Sequence, residues 1–147
     1  MTKSAFCFVV AAGTLLNVTA ALSCENFAGS YFRPGVESST GATDRITQTD
    51  CTEITFEDLS ESAKNEGPST YITDGLPHPT AGNVFAGVGT YTATFFENQF
   101  ILTFEHEGSP ELTLSTTFTQ SDLGHLTSIS QTRSYRSFRQ QTYHRVR

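Results

Sequence analysis

A histidine wedged between two prolines, four residues after an aspartate, is the arrangement in this sequence closest to acid–base machinery. His78 lies in Asp74-Gly75-Leu76-Pro77-His78-Pro79, and an imidazole oriented by a carboxylate can act as a general base. Asp74 also opens an Asp-Gly pair of the kind that builds turns through its own side chain. The same residues therefore read equally as a turn followed by an exposed loop histidine. A second polar group, Phe104-Glu105-His106-Glu107-Gly108, strings three possible metal ligands together. On a strand, Glu105 and Glu107 face one side and His106 the other, so this stretch alone cannot form a three-ligand site. There is no Gly-x-Ser-x-Gly, no His-Glu-x-x-His and no phosphate-cradling loop, and Gly87-Val88-Gly89 precedes a strand pattern rather than a helix. The sequence thus designates no catalytic residue, no metal ligands and no cofactor.

Cysteine chemistry depends on where the chain resides. Residues 1–23 carry Lys3, then a mostly apolar, uncharged run from Ala5 to Leu16, then small residues. That is the pattern of a cleaved secretory signal peptide, and the run is shorter than the roughly 20 apolar residues that span a bilayer. Cleavage after Ala20 and after Ser23 fit equally well. Export places the protein in a secreted or periplasmic setting as a single domain, residues 24–147. Cys7 leaves with the leader, and an oxidising compartment favours a disulfide between Cys24 and Cys51. The competing reading is lipid attachment at Cys24, because Ala21-Leu22-Ser23-Cys24 resembles a lipobox with Ala where Leu is usual.

Charge is unevenly distributed. From Cys24 to Gly124 there are fifteen acids against Arg33, Arg45 and Lys64, a net −12; from His125 onward there are five arginines and no acid. Arg133, Arg136, Arg139, Arg145 and Arg147 alternate with Tyr135, Phe138 and Tyr143. In an exported protein such a tail suits an anionic envelope surface rather than nucleic acid. We expect Arg133 and Tyr135 to belong to a closing strand, with residues beyond Gln141 exposed and loosely held.

The elements that would position these groups are strands. Tyr91, Ala93 and Phe95 alternate with Thr90, Thr92 and Thr94; beyond a Glu97-Asn98 turn, Phe100, Leu102 and Phe104 share one face. Leu112, Leu114, Thr116 and Phe118 repeat the pattern against Glu111, Thr113, Ser115 and Thr117. This two-residue period marks sheets with one buried face. Leu126 and Ile129 differ in parity, which predicts a bulge or different faces. Leu76-Pro77-His78-Pro79-Thr80 reads as a connection rather than an element, and residues 57–66 admit one helical turn. The sum is an all-β chain of seven to nine antiparallel strands, whose local connections favour a small up-and-down barrel.

Asn26-Phe27-Ala28-Gly29-Ser30-Tyr31 and the hairpins after it resemble calycin-type, lipocalin-like barrels, and most of the mature chain resembles small exported bacterial proteins of that kind without an assigned role. Gly29-Ser30-Tyr31 stands where lipocalins place Gly-x-Trp. The resemblance gives Arg133 the part of the arginine that packs over that ring. This chain has Tyr instead of Trp there, lacks a Thr-Asp-Tyr motif, and has no Trp to form the biotin cage of avidins. The interior would be lined by Tyr31, Tyr91, Phe95 and Phe100, together with Leu102, Phe104, Leu114 and Phe118. A barrel of about eight strands is either filled by side chains or holds one small ligand, and twelve Phe residues satisfy both descriptions. The leading functional expectation is an exported binding module for a small apolar ligand or an envelope component. The alternatives are a structural or inhibitory surface protein without a pocket, and an enzyme using His78 and Asp74 at the barrel mouth.

Overall fold

In the computed structural model, which describes residues 24–63, 65–80, 88–133 and 138–146, ten antiparallel strands form one nearly closed up-and-down barrel. They are β1 (Gly29–Phe32), β2 (Asp44–Thr49), β3 (Glu53–Asp58), β4 (Ser69–Ile72) and β5 (His78–Thr80), followed by β6 (Gly89–Phe96), β7 (Gln99–His106), β8 (Ser109–Gln120), β9 (Leu126–Thr132) and β10 (Phe138–Arg145). A 3-10 turn at Glu61–Ala63 supplies the helical turn expected after β3. Residues 1–23, Gly87, Tyr135, Arg136 and Arg147 lie outside the described residues.

Strand order around the sheet is β4-β3-β2-β1-β10-β9-β8-β7-β6-β5, so the first and last strands pair and the two sheet edges are β4 and β5. The chain itself partly bridges that gap. Asp74 forms a bridge with Thr94 on β6, and the Gly75 amide donates to the Ala93 carbonyl at 3.0 Å. The Tyr71 ring of β4 meets the Tyr91 ring of β6 edge-on at 5.1 Å.

The strand count exceeds the expected seven to nine for two reasons. The Pro77-His78-Pro79 stretch, read as a connection, enters the sheet as β5, which an edge position tolerates because it does not need every backbone donor. The chain after Gln141 also belongs to β10. The expectation of a loose tail is therefore wrong: Tyr143 pairs with Leu126 on β9, and Arg145 with Tyr31 on β1. Arg145 also overturns the part given to Arg133. Its guanidinium donates to the Ala28 carbonyl at 2.8 Å and lies over Gly29 beside the first-strand ring. Arg133 is exposed at the far end of β9, where its amide donates to the Thr113 carbonyl.

Leu126 and Ile129 resolve as residues on opposite faces of an unbroken β9: Leu126 is buried and Ile129 exposed, with continuous pairing to both neighbours. The irregularity lies between β7 and β8, at Phe104 and His106. Opposite that bulge the backbone of β6 comes so close that a Cβ on Gly89 would sit 2.0 Å from the Glu105 carbonyl oxygen. Gly89→Ala should therefore destabilise by about 2–4 kcal/mol, an overpacking cost against backbone that cannot rotate away. Urea denaturation would show it as a lower midpoint.

The base of the barrel is closed by the N-terminal segment. Phe27 is fully buried, its amide donates to the Gln48 side-chain oxygen, and its carbonyl accepts the Tyr31 hydroxyl at 2.7 Å. Gln48 also donates to the carbonyls of Glu25 and Asp50. Cys24 and Cys51 lie at disulfide distance with Cα atoms 5.6 Å apart, tying this segment to the β2–β3 turn. Closing a loop of that length contributes about 3 kcal/mol by the chain-entropy model. Beside this segment, on the seam where β1 pairs with β10, the Val146 amide donates to the Ser30 carbonyl at 2.9 Å. Deleting residues 142–147 should accordingly lower the melting temperature by about 10 °C or more, read by circular dichroism; an unchanged melting temperature would contradict the seam.

Candidate ligand-binding interior

All eight residues expected to line the interior stand on its inward face. Tyr31, Tyr91, Phe100 and Leu102 are buried in one cluster, against which Phe95, Phe104 and Phe118 pack while partly exposed. Leu114 shares that face through its pairing with Phe104. The register arranges inward side chains in rows. One runs Phe95, Phe100, Phe118, Ser128, Gln141; the next Ala93, Leu102, Thr116, Ser130, Arg139; a third Tyr91, Phe104, Leu114, Thr132. Each row starts apolar on β6 and β7; two stay apolar on β8 at Phe118 and Leu114, and all turn polar by β9, through Ser128, Ser130 and Thr132 to Gln141 and the charged Arg139 on β10. Phe56 and Tyr71 extend the aromatic side onto β3 and β4, with Phe56 5.1 Å from Phe118 and Tyr71 5.9 Å from Phe104.

A charged cluster sits at the other end of β1 to β3 from Phe27. Arg33 follows β1, and its Nε donates to Asp44 at 2.8 Å and its Nη2 to Asp58 at 2.6 Å. The Thr43 hydroxyl donates to the same Asp44 oxygen, and the Ser60 amide donates to Asp58. Burial pushes the Asp44 carboxyl up, against the pull of Thr43 and Arg33. Asp58 goes the other way: burial raises it, but bonds from Ser60 and Arg33 together hold it below the ordinary range. Tyr143 faces this cluster; burial pushes its phenol up, although Ser128 hydrogen-bonds it.

The sequence reading missed Arg33, Asp44, Asp58, Phe56, Tyr71 and Tyr143. Ile54 and Phe56 do alternate with Thr55 and Glu57, and that signal was available. The ion cluster joins residues up to 25 positions apart, which no local pattern reveals.

His78 and Asp74 do come together, Nε2 to Oδ1 at 2.9 Å, with His78 stacked on Tyr91 at 5.3 Å between ring centres. The same Asp74 oxygen accepts the Leu76 amide at 2.9 Å. That sharing is the bonding of an Asx turn, and the His78 bond is the main cause holding the Asp74 carboxyl below its usual range. Among the arginines offered for an anionic surface, Arg139 stands by register in the inward-facing set and Arg145 is bonded to Ala28. His106 ends β7 at the bulge and Glu107 lies in the turn beyond it, with the His106 ring nitrogen 3.0 Å from the Glu107 carbonyl.

Among solved structures, the chain is similar to the crystal structure of a point mutant of the fluorescent protein UnaG. The TM-score is 0.61 at 11% identity, covering 82% of this chain and 96% of that one. The likeness is one of fold, a calycin-like barrel. No protein-family model matches the chain, and no curated protein does.

The ion cluster has a consequence for acid stability. Asp58 titrates below its unfolded value, so the stability it contributes is complete above the ordinary carboxylate pKa near 4 and is lost as pH falls through the lowered folded value. Asp44, raised, opposes this above the same range. Asp58→Asn should lower the urea midpoint at pH 7 and flatten its decline below pH 4.

Proposed function

We propose that this protein is a carrier or sensor that holds one small, largely apolar molecule with a hydrogen-bonding edge inside the barrel. The observation that carries this reading is the two-sided interior: rings on β3, β4, β6, β7 and at Phe118 of β8 face Thr116, Ser128, Ser130 and Gln141 on β8 to β10, with Arg139 at the end of one row. Phe56, Phe95, Phe104 and Phe118 remain partly exposed although they face inward. Ten strands enclose more space than the roughly eight that side chains alone fill. An apolar ligand body would lie against the rings, and its polar edge would meet Thr116, Ser128, Ser130 and Gln141. The barrel fold shared with the fluorescent protein UnaG is of a kind that can enclose one small molecule.

The setting we propose is extracellular or periplasmic, after removal of residues 1–23, as in the small lipocalin-like proteins this chain resembles. The approach of Cys24 to Cys51 supports an oxidising compartment over a lipid anchor on Cys24. An envelope component with an apolar part is one class of ligand that fits both the setting and the interior.

A filling substitution tests the reading. Ser130 is partly exposed on the inward face, so Ser130→Phe should occupy ligand space. With Nile red as probe, the wild-type protein should show saturable, blue-shifted fluorescence, and Ser130→Phe should weaken it at least about tenfold without lowering the melting temperature. If the interior is already filled, the probe will not bind and Ser130→Phe will destabilise through overpacking. Native mass spectrometry of protein taken from its host would reveal a resident ligand directly.

A further inference from the structure

A cavity lies outside the aromatic interior. It occupies about 660 Å³ at the base of the barrel, where β4 ends and diverges from β6. That volume lies in the range of small-molecule sites. One wall is the Cys24–Cys51 pair, another Ile72 and Thr73, and the third the end of β6, Thr94 to Phe96. Phe95 separates it from the interior, because its ring packs on Phe27 at 6.1 Å and on Phe100 at 5.4 Å. Of the described residues lining this cleft, Phe95 is the one that also belongs to the aromatic interior.

The chemistry of this cleft differs from that of the interior. Phe96 is 60% exposed and Ile72 44%, so apolar surface is presented at the rim rather than buried. The charged residues that line it are Asp74 and Glu97, with no lysine or arginine among the described lining residues. The Asp74 carboxylate is held in place by His78 and the Leu76 amide. Glu97 is presented by the β6–β7 turn with a left-handed backbone, φ 51°. A neutral apolar ligand would draw water away from these carboxylates without replacing it, and an anion would meet repulsion. A cation with an apolar body satisfies the carboxylates and can lie on the Phe96 face.

We infer that the basal cleft is a separate binding site for a small organic cation bearing an aromatic or branched apolar group, such as a quaternary amine. It is independent of the interior ligand, since Phe95 divides the two. Its walls include the Cys24–Cys51 pair that ties the N-terminal segment to the β2–β3 turn.

Benzyltrimethylammonium, with benzyl alcohol and benzoate as neutral and anionic counterparts, provides the test by amide NMR titration at pH 8 on the oxidised protein. The cation should give saturable shifts at Ile72, Thr94, Phe96 and Glu97, weakened by salt, with much smaller responses to the two counterparts. Glu97→Gln should weaken the cation by roughly three- to fivefold, as for one exposed ion pair, while leaving benzyl alcohol unchanged. Phe96→Ala, at an exposed position, should weaken cation binding with the fold intact. Equal binding of benzyl alcohol, or no effect of Glu97→Gln, would overturn the inference. Cation-induced shifts confined to Leu114, Thr116 and Ser130 would overturn it too, while leaving the interior site standing.

Discussion

The seam between β1 and β10 is the contact through which every other feature of this barrel acquires its position. Only two residue pairs, Tyr31 with Arg145 and Phe32 with His144, define it, yet they join strands more than a hundred positions apart. The remaining neighbours around the barrel are sequential hairpins or near-hairpins, which form locally. Seam closure is the step with the largest loop entropy, and the structure concentrates auxiliary bonds there. Arg145 reaches Ala28, Val146 reaches Ser30, and the Arg145 amide donates to the His125 ring at 3.3 Å. Tyr31, fully buried between Phe27 and the Gln120 amide 3.1 Å away, anchors the same point from inside.

Closing the sheet at that seam also determines what faces inward. Strand parity is fixed once Tyr31 points to the core, and it carries Asp44, Ile46 and Gln48 inward on β2 and Ile54, Phe56 and Asp58 inward on β3. Polar members of this set do not sit in a dry core. Gln48 saturates the N-terminal segment, while Asp44 and Asp58 share Arg33. Partial exposure keeps the ion cluster hydrated enough that its charges are tolerated, which a deeply buried triad would not allow without a larger desolvation cost. Its role is to hold β1, β2 and β3 together, beside Tyr143, at the end of these strands away from Phe27.

What the sequence made legible follows one physical rule. Where an inward face is apolar and its outward face is Thr, Ser or Glu, as on β6, β7 and the second half of β8, alternation alone located the strand, its turn and its buried residues. Where the inward face is itself polar, that contrast vanishes. Arg139, Gln141 and Tyr143 alternate with Gln140, Thr142 and His144, and the run resembled a frayed basic end although it is a fully paired strand. The three-residue β5 was hidden by its prolines. Pairings set by tertiary closure, such as Arg145 over Gly29 in place of Arg133, have no local signature at all.

The gap between β4 and β5 makes these two strands the edges of the described sheet. Edges of this kind are templates on which a further copy of a chain can add and then propagate. Here one edge is four residues long and the other three, with Pro79 at the centre of the latter and the Ile72 amide already donated to the Tyr91 hydroxyl at 3.2 Å. A guest strand would find few consecutive donors and acceptors to read. The barrel therefore tolerates a break in its strand pairing without becoming a nucleus for fibrillar growth.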